Sequence, residues 1–187
     1  MKGRHTTSIL GVKRNLLIIS RLTAKIQPEK EPLHNGICYP QADDITKVRV
    51  FVESVYDGYT TKEELVQILN MTTRQIDYYG NAARYLGFVT RRSGNFLPTS
   101  LGKELAISDK KKKKRIIIER FFKIPSIRGV FTRVIEGPLS MSTVIEAMRK
   151  AKVHLNTKKM ENRRAQTIYS WVVWALRELP KVCEENI

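Results

Sequence analysis

Apolar residues recur at helical spacing through much of this chain. Ile45, Val48, Val52 and Val55 follow an i, i+3, i+7, i+10 pattern, which predicts a first helix ending near Asp57-Gly58. Thr60-Thr61-Lys62-Glu63 reads as a Thr-x-x-Glu capping box, where hydroxyl and carboxylate satisfy free backbone N–H groups at a helix start. Leu65, Ile68 and Leu69 are the buried face of that short second helix. Asn70-Met71 makes a turn, and Thr72-x-x-Gln75 opens a third helix through a second capping box. Projected at 100° per residue, Ile76, Tyr79, Gly80, Ala83 and Leu86 fall on one side of it. Arg74, Tyr78, Asn81 and Tyr85 fall on the other, with Asp77 and Arg84 at the flank. Gly87 ends this helix. Phe88-Val89-Thr90 and Phe96-Leu97 predict two short strands around the turn Arg91-Arg92-Ser93-Gly94-Asn95, and Thr99-Ser100-Leu101-Gly102 starts another helix.

Beyond a basic run, Lys110 to Arg115, a second helical series follows. Ile116, Ile117, Phe121 and Phe122 predict a helix stopping before Pro125, and Val130, Val134 and Ile135 one ended by Gly137-Pro138. Ser140-Met141-Ser142-Thr143 is a helix entrance for Val144 to Ala151. A long helix is expected from Asn156-Thr157 to Leu179, ending at Pro180. Near the N-terminus, Val12, Leu16, Ile19, Leu22 and Ile26 have helical spacing, although Leu16-Leu17-Ile18-Ile19 equally suits a strand. Pro28, Pro32, Gly36 and Pro40 then read as a linker. The chain divides accordingly into a basic arm and linker (1–42), a first domain (43–107) and a basic helical domain (108–187).

Three helices, a short turn between the second and third, then a two-stranded ribbon is the order of a winged helix-turn-helix. Arg74 to Leu86, followed by Gly87-Phe88-Val89, a Gly-containing turn and Phe96-Leu97-Pro98-Thr99-x-x-Gly102, resembles the third helix and wing of that superfamily. It is also similar to winged-helix modules that accompany restriction endonucleases. The resemblance covers about a third of the chain. It implies a mainly α fold with a small β-wing, and a DNA-binding role. The second domain repeats the helical order without a ribbon signal and is expected to be helix-turn-helix-like.

Charge sharpens that expectation. The 187 residues carry 34 Lys and Arg against 18 Asp and Glu, a formal +16, which favours a polyanionic partner. Its distribution is uneven. Residues 1–40 have seven cations and two acids (+5), residues 41–109 eight and nine (−1), and residues 110–187 nineteen and seven (+12). No apolar run nears the roughly 18 residues of a membrane span, so the expected location is cytoplasmic, nucleoid-associated if the cell is prokaryotic. Cys38 and Cys183 sit in no CxxC pair, and with His5, His34 and His154 scattered no metal spacing exists. The two cysteines either form one disulfide or stay reduced, and the reduced form is expected.

For a DNA reader, the third helix of each unit needs side chains that donate or accept on base edges, with cations on phosphates. The first unit offers Arg74, Tyr78, Asn81, Arg84 and Tyr85, and its wing offers Arg91, Arg92 and Asn95. In the second, the long helix has an apolar stripe of Ala165, Ile168, Val172, Ala175 and Leu179, with Lys158, Lys159, Arg163, Gln166, Thr167 and Ser170 set against it. Trp171 is expected in the core, and Trp174 packed on another domain or subunit. Lys111, Lys112 and Lys113 are expected in a mobile basic linker that contacts phosphate. Asp109-Lys110-Lys111 has the letters of a nuclease motif but no strand around it. There is no phosphate loop, nucleophile elbow or His-Glu-x-x-His motif. The expectation is therefore a non-enzymatic, cofactor-free protein that binds double-stranded DNA. It would be a transcription regulator, or the recognition component of a restriction-type system with a separately encoded nuclease or methyltransferase, and a homodimer is an open option. The alternative is a protein-docking winged helix whose basic tail binds RNA or an acidic partner.

Overall fold

A computed structural model describes residues 9–33 and 36–183. Its elements, in order, are α1 (Ile9–Lys25), α2 (Ile45–Tyr56), α3 (Lys62–Leu69), α4 (Thr73–Tyr85), β1 (Val89–Arg92), β2 (Asn95–Pro98), α5 (Ser100–Ile107), α6 (Lys110–Lys123), α7 (Pro125–Glu136), α8 (Met141–Lys150) and α9 (Lys158–Val182). The protein is mainly helical, with one two-stranded antiparallel sheet among the described residues.

Local chemistry explains most boundaries. Asp44 caps α2, its carboxylate accepting from the Thr46 and Lys47 amides at 2.9 and 3.2 Å. The capping box of α3 lies one residue later than expected. Thr61 accepts from the Glu64 amide at 3.2 Å, and the Glu64 carboxylate takes the Thr61 amide at 2.9 Å. Both Thr60-x-x-Glu63 and Thr61-x-x-Glu64 satisfy the pattern, and the register that turns Leu65 into the core prevails. Thr72 and Gln75 form the expected box on α4. The strands pair from Val89 with Pro98 to Arg92 with Asn95, longer than expected. The turn shrinks to Ser93-Gly94, both at positive φ (48° and 87°), as a two-residue hairpin of right-handed twist requires.

Helices α2, α3 and α4 pack together with the ribbon. Phe96 of β2 meets Phe51 of α2 edge-on at 5.1 Å. α5 lies so close to the preceding segment that a Cβ on Gly102 would sit 1.9 Å from the Phe88 carbonyl oxygen. The second unit is organised around α9, which packs against α8, α6, α1 and α7. Trp171 is fully buried there, stacked on Phe121 at 5.6 Å, and its indole N–H donates to the Ala42 carbonyl at 2.8 Å. Trp174 stands edge-on to Phe121 and lines a cleft with Ile45, Tyr56 and Ile107 of the first unit. The buried side chains from Ile18 to Val182 make one connected cluster.

Three expectations need correction. First, the described part of the N-terminal segment is no free arm: α1 is a helix that packs on α7 and α9 and buries Ile18 and Ile19. Residues 1–8 of the expected arm lie outside the described residues. Second, the lysine run is not a mobile linker. Asp109 accepts from the Lys111 and Lys112 amides at 2.8 and 2.9 Å, so the run is the first turn of α6. Third, α9 does not stop at Pro180 but continues to Val182. Proline offers no N–H to the carbonyl four residues back. That carbonyl, on Leu176, accepts instead from the Asn15 side-chain amide of α1 at 3.0 Å.

Arginines close other helix ends. Arg120 donates to the Leu86 carbonyl at the end of α4 (2.8 Å), and Arg115 to the Val182 carbonyl at the end of α9 (2.8 Å). Arg128 donates to the Ile26 carbonyl, to that of Thr23 at 2.6 Å and to that of Phe122 at 3.3 Å. A cation at a helix C-terminus meets carbonyls without intrahelical partners and the negative end of the dipole.

Candidate nucleic-acid interface

The α3–turn–α4 unit presents the first turn of α4 to solvent. Thr72, Thr73, Arg74 and Gln75 are exposed, and Tyr78 is half-buried one turn on. Arg74 Nε donates to the Tyr78 hydroxyl at 2.5 Å, and its guanidinium stands 5.4 Å from the ring centroid. Arg163 of α9 reaches the same ring, its guanidinium carbon 5.8 Å from the centroid. The hydrogen bond from Arg74, then the charges of Arg74 and Arg163, lower the Tyr78 phenol below its ordinary pKa. Two expected site residues from distant parts of the chain thus share one tyrosine. Neither guanidinium has a carboxylate partner among the described residues.

The C-terminal half of α4 is covered. Asn81 is half-buried and accepts from Arg84 at 3.3 Å, and Arg84 also reaches the Gly36 carbonyl at 3.5 Å. Tyr85, expected on the reading face, is fully buried. Its hydroxyl donates to the Glu31 carboxylate and lies 3.1 Å from the Ser126 hydroxyl, at the start of α7. Glu31 also accepts from the Ser126 amide and hydroxyl, both at 3.0 Å. Tyr39 donates to the Ser126 hydroxyl at 3.0 Å and packs edge-on against Tyr85 at 5.3 Å. The linker folds back because this carboxylate seats on the N-terminus of α7, where free amides and the dipole favour an anion. A helical projection carries no information about such a return.

Burial raises the Glu31 carboxyl above its ordinary value of 4.5 against the lowering pull of Tyr85 and Ser126, and burial pushes the Tyr39 and Tyr85 phenols up. A carboxyl raised on folding contributes stability that is complete below pH 4.5 and lost as pH rises through the folded value. Stability of the parent relative to Glu31→Gln should therefore increase as pH falls from neutrality toward 4.5. Urea midpoints of both proteins across about pH 4 to 8 check the sign, because contributions from all other carboxylates cancel in the difference.

Elsewhere the structure sorts the expected residues. Arg91, Arg92 and Asn95 are exposed on the wing, with Arg91 held over Phe96 at 5.1 Å and donating to the Gly94 carbonyl at 3.1 Å. Lys111 is half-buried, Lys112 pairs with Glu104 at 3.1 Å, and Lys113 pairs with Glu53 at 2.6 Å. The Lys112 and Lys113 pairs tie α6 to α5 and α2, so these lysines sit on a fixed helix and not in a mobile linker. On α9, Lys158, Lys159, Arg163 and Gln166 are exposed, and Ser170 is half-buried. Thr167 is 2% exposed, a second correction, because a helix surrounded by four others buries more than one stripe. Sequence reasoning missed Thr73, exposed beside Arg74; the capping box that places it in the first turn was the available signal.

Cys38 and Cys183 are free, and no group of three or more His, Cys, Asp or Glu suited to a metal occurs among the described residues. No described helix is long and apolar enough to cross a membrane.

Fold and surface together describe a basic helical protein with a short antiparallel ribbon, and an exposed start of α4 at which Arg74 and Arg163 gather on Tyr78. The chain belongs to the family described as domain of unknown function DUF7226, whose model matches residues 47–179. That span runs from α2 into α9 and includes Arg74, Tyr78 and Arg163. No curated protein and no solved structure matches the chain.

Proposed function

We propose that this protein is a winged helix-turn-helix module that binds double-stranded DNA, with the first turn of α4 in the major groove and the wing on adjacent backbone. The observation that carries this reading is the contrast between two sets of cations. Lys112, Lys113 and Lys114 are each paired with a glutamate (Glu104, Glu53 and Glu178). Arg74 and Arg163 instead gather on Tyr78, without a carboxylate partner among the described residues. Two like charges held near one ring repel each other, and a phosphate backbone turns that cost into attraction. Helix-turn-helix proteins contact bases through the N-terminal residues of the recognition helix, which is the part of α4 left exposed here. A transcription regulator, or the recognition component of a restriction-type system, uses such a module without chemistry of its own.

Fluorescence anisotropy with a labelled random-sequence duplex tests this directly. With about five phosphate contacts, affinity should fall on the order of 500-fold between 50 and 200 mM salt. Salt-insensitive association, or retention only on an RNA probe of equal length, would refute duplex recognition.

A further inference from the structure

On α9 the residues set against the apolar stripe are not equally accessible. Thr167 is buried and Ser170 half-buried, while Lys159 and Arg163, one turn apart, stay exposed. Arg163 lies against α4 rather than alone. We infer that the two units share a single DNA face, in which Thr73 and Arg74 meet base edges and Arg163, with Lys159 behind it, holds the neighbouring phosphates. This assignment rests on the duplex-binding reading above.

Three observations support it. The guanidiniums of Arg74 and Arg163 stand 5.4 and 5.8 Å from one ring centroid. No more than about 11 Å therefore separates them, less than the roughly 12 Å width of a major groove. The two cations thus lie within the span of one groove, close enough for Arg163 to hold a neighbouring phosphate while Arg74 meets base edges. Tyr78 stiffens the pair, its hydroxyl fixed by Arg74 and its ring under both cations. The start of α9 is also held in place. Arg149 at the end of α8 grips Glu161 through two hydrogen bonds of 2.8 Å each, so Lys159 and Arg163 are presented by an anchored turn. Bidentate Arg–carboxylate pairs fix geometry as well as adding energy.

The test uses the full chain and two labelled probes, a random-sequence duplex and a duplex enriched by selection, each titrated across a KCl series. Arg163→Gln should weaken binding to both probes by a similar factor, and lower the slope of log K against log salt by about 1. Arg163→Lys should restore that slope. Arg74→Gln should reduce affinity chiefly for the selected duplex. An unchanged slope in Arg163→Gln, or a loss confined to the selected duplex, overturns the shared face while leaving duplex binding intact. Absence of salt-dependent duplex binding by the parent chain overturns the functional reading and this assignment together. Because Arg163 is exposed, circular dichroism and the urea midpoint should match the parent, separating lost contacts from lost fold.

Discussion

Gly102→Ala should destabilise the protein by at least about 3 kcal/mol and lower its melting temperature by roughly 6–12 °C, making it among the most damaging single-methyl changes available. The added carbon would stand 1.9 Å from the Phe88 carbonyl oxygen and 2.9 Å from its carbonyl carbon. Both are backbone atoms, so no side-chain rotation relieves the overlap. Gly102 and Phe88 are both buried, and the Thr99 hydroxyl binds the Gly87 and Phe88 carbonyls at 2.7 and 3.1 Å, holding that strand start against α5. Helix propensity runs the other way, favouring alanine by about 1 kcal/mol, which is too little to offset the collision. Gly137→Ala provides the control. Nothing lies within 4 Å of a Cβ there, and the backbone is extended at φ −173°. Thermal melts of both variants decide the matter, and a Gly102→Ala protein melting within a degree of the parent would show that α5 sits further from Phe88.

Arg128→Met should cost about 3 kcal/mol while retaining most of the stem's packing. Its guanidinium donates to the carbonyls of Thr23 and Phe122 at 2.6 and 3.3 Å and to that of Ile26. Those groups close the ends of α1 and α6, and truncation leaves half-buried acceptors without donors. Hydrogen bonds from a charged donor contribute about 1.5–3 kcal/mol each, but water reaching the opened site recovers part of the loss. Arg128→Lys should rescue incompletely, because a single ammonium cannot fork between carbonyls. Urea midpoints give the size of the effect. Hydrogen exchange gives its location, with faster exchange expected first in α1, since Arg128 is the tie between its last turn and α7.

Much of this architecture is legible in the residues because it is set locally. Thr72 and Gln75 meet within one turn whatever surrounds them, and Gly94, which accepts a positive φ without strain, marks the hairpin turn within the expected segment. What stays hidden depends on partners far along the chain. Pro180 reads as a stop, yet α9 continues past it, and Asn15, 161 residues away, donates to the Leu176 carbonyl that Pro180 cannot reach. Lys110 to Lys114 read as a solvated block; Asp109 beside them caps the helix start, and Glu53, Glu104 and Glu178 on three other helices pair with its lysines. For the candidate site, the exposed half of α4 follows from periodicity. Tyr85 has the same periodicity as Tyr78, and its burial is decided by Glu31, a carboxylate in a stretch rich in prolines that looks like spacer. The meeting of Arg163 with Tyr78 has no local signature at all.

The arginines at the helix ends change what an isoelectric point means for this molecule. A tally from the amino acids counts Arg115, Arg120 and Arg128 as freely as Arg74, yet the first three are engaged by carbonyls inside the fold. Exchanging those three for lysine would leave the formal charge at +16 and give a protein that migrates almost identically in an electric field. Its architecture would be loosened at three corners, so two molecules alike on a charge scale would differ in whether they hold their shape.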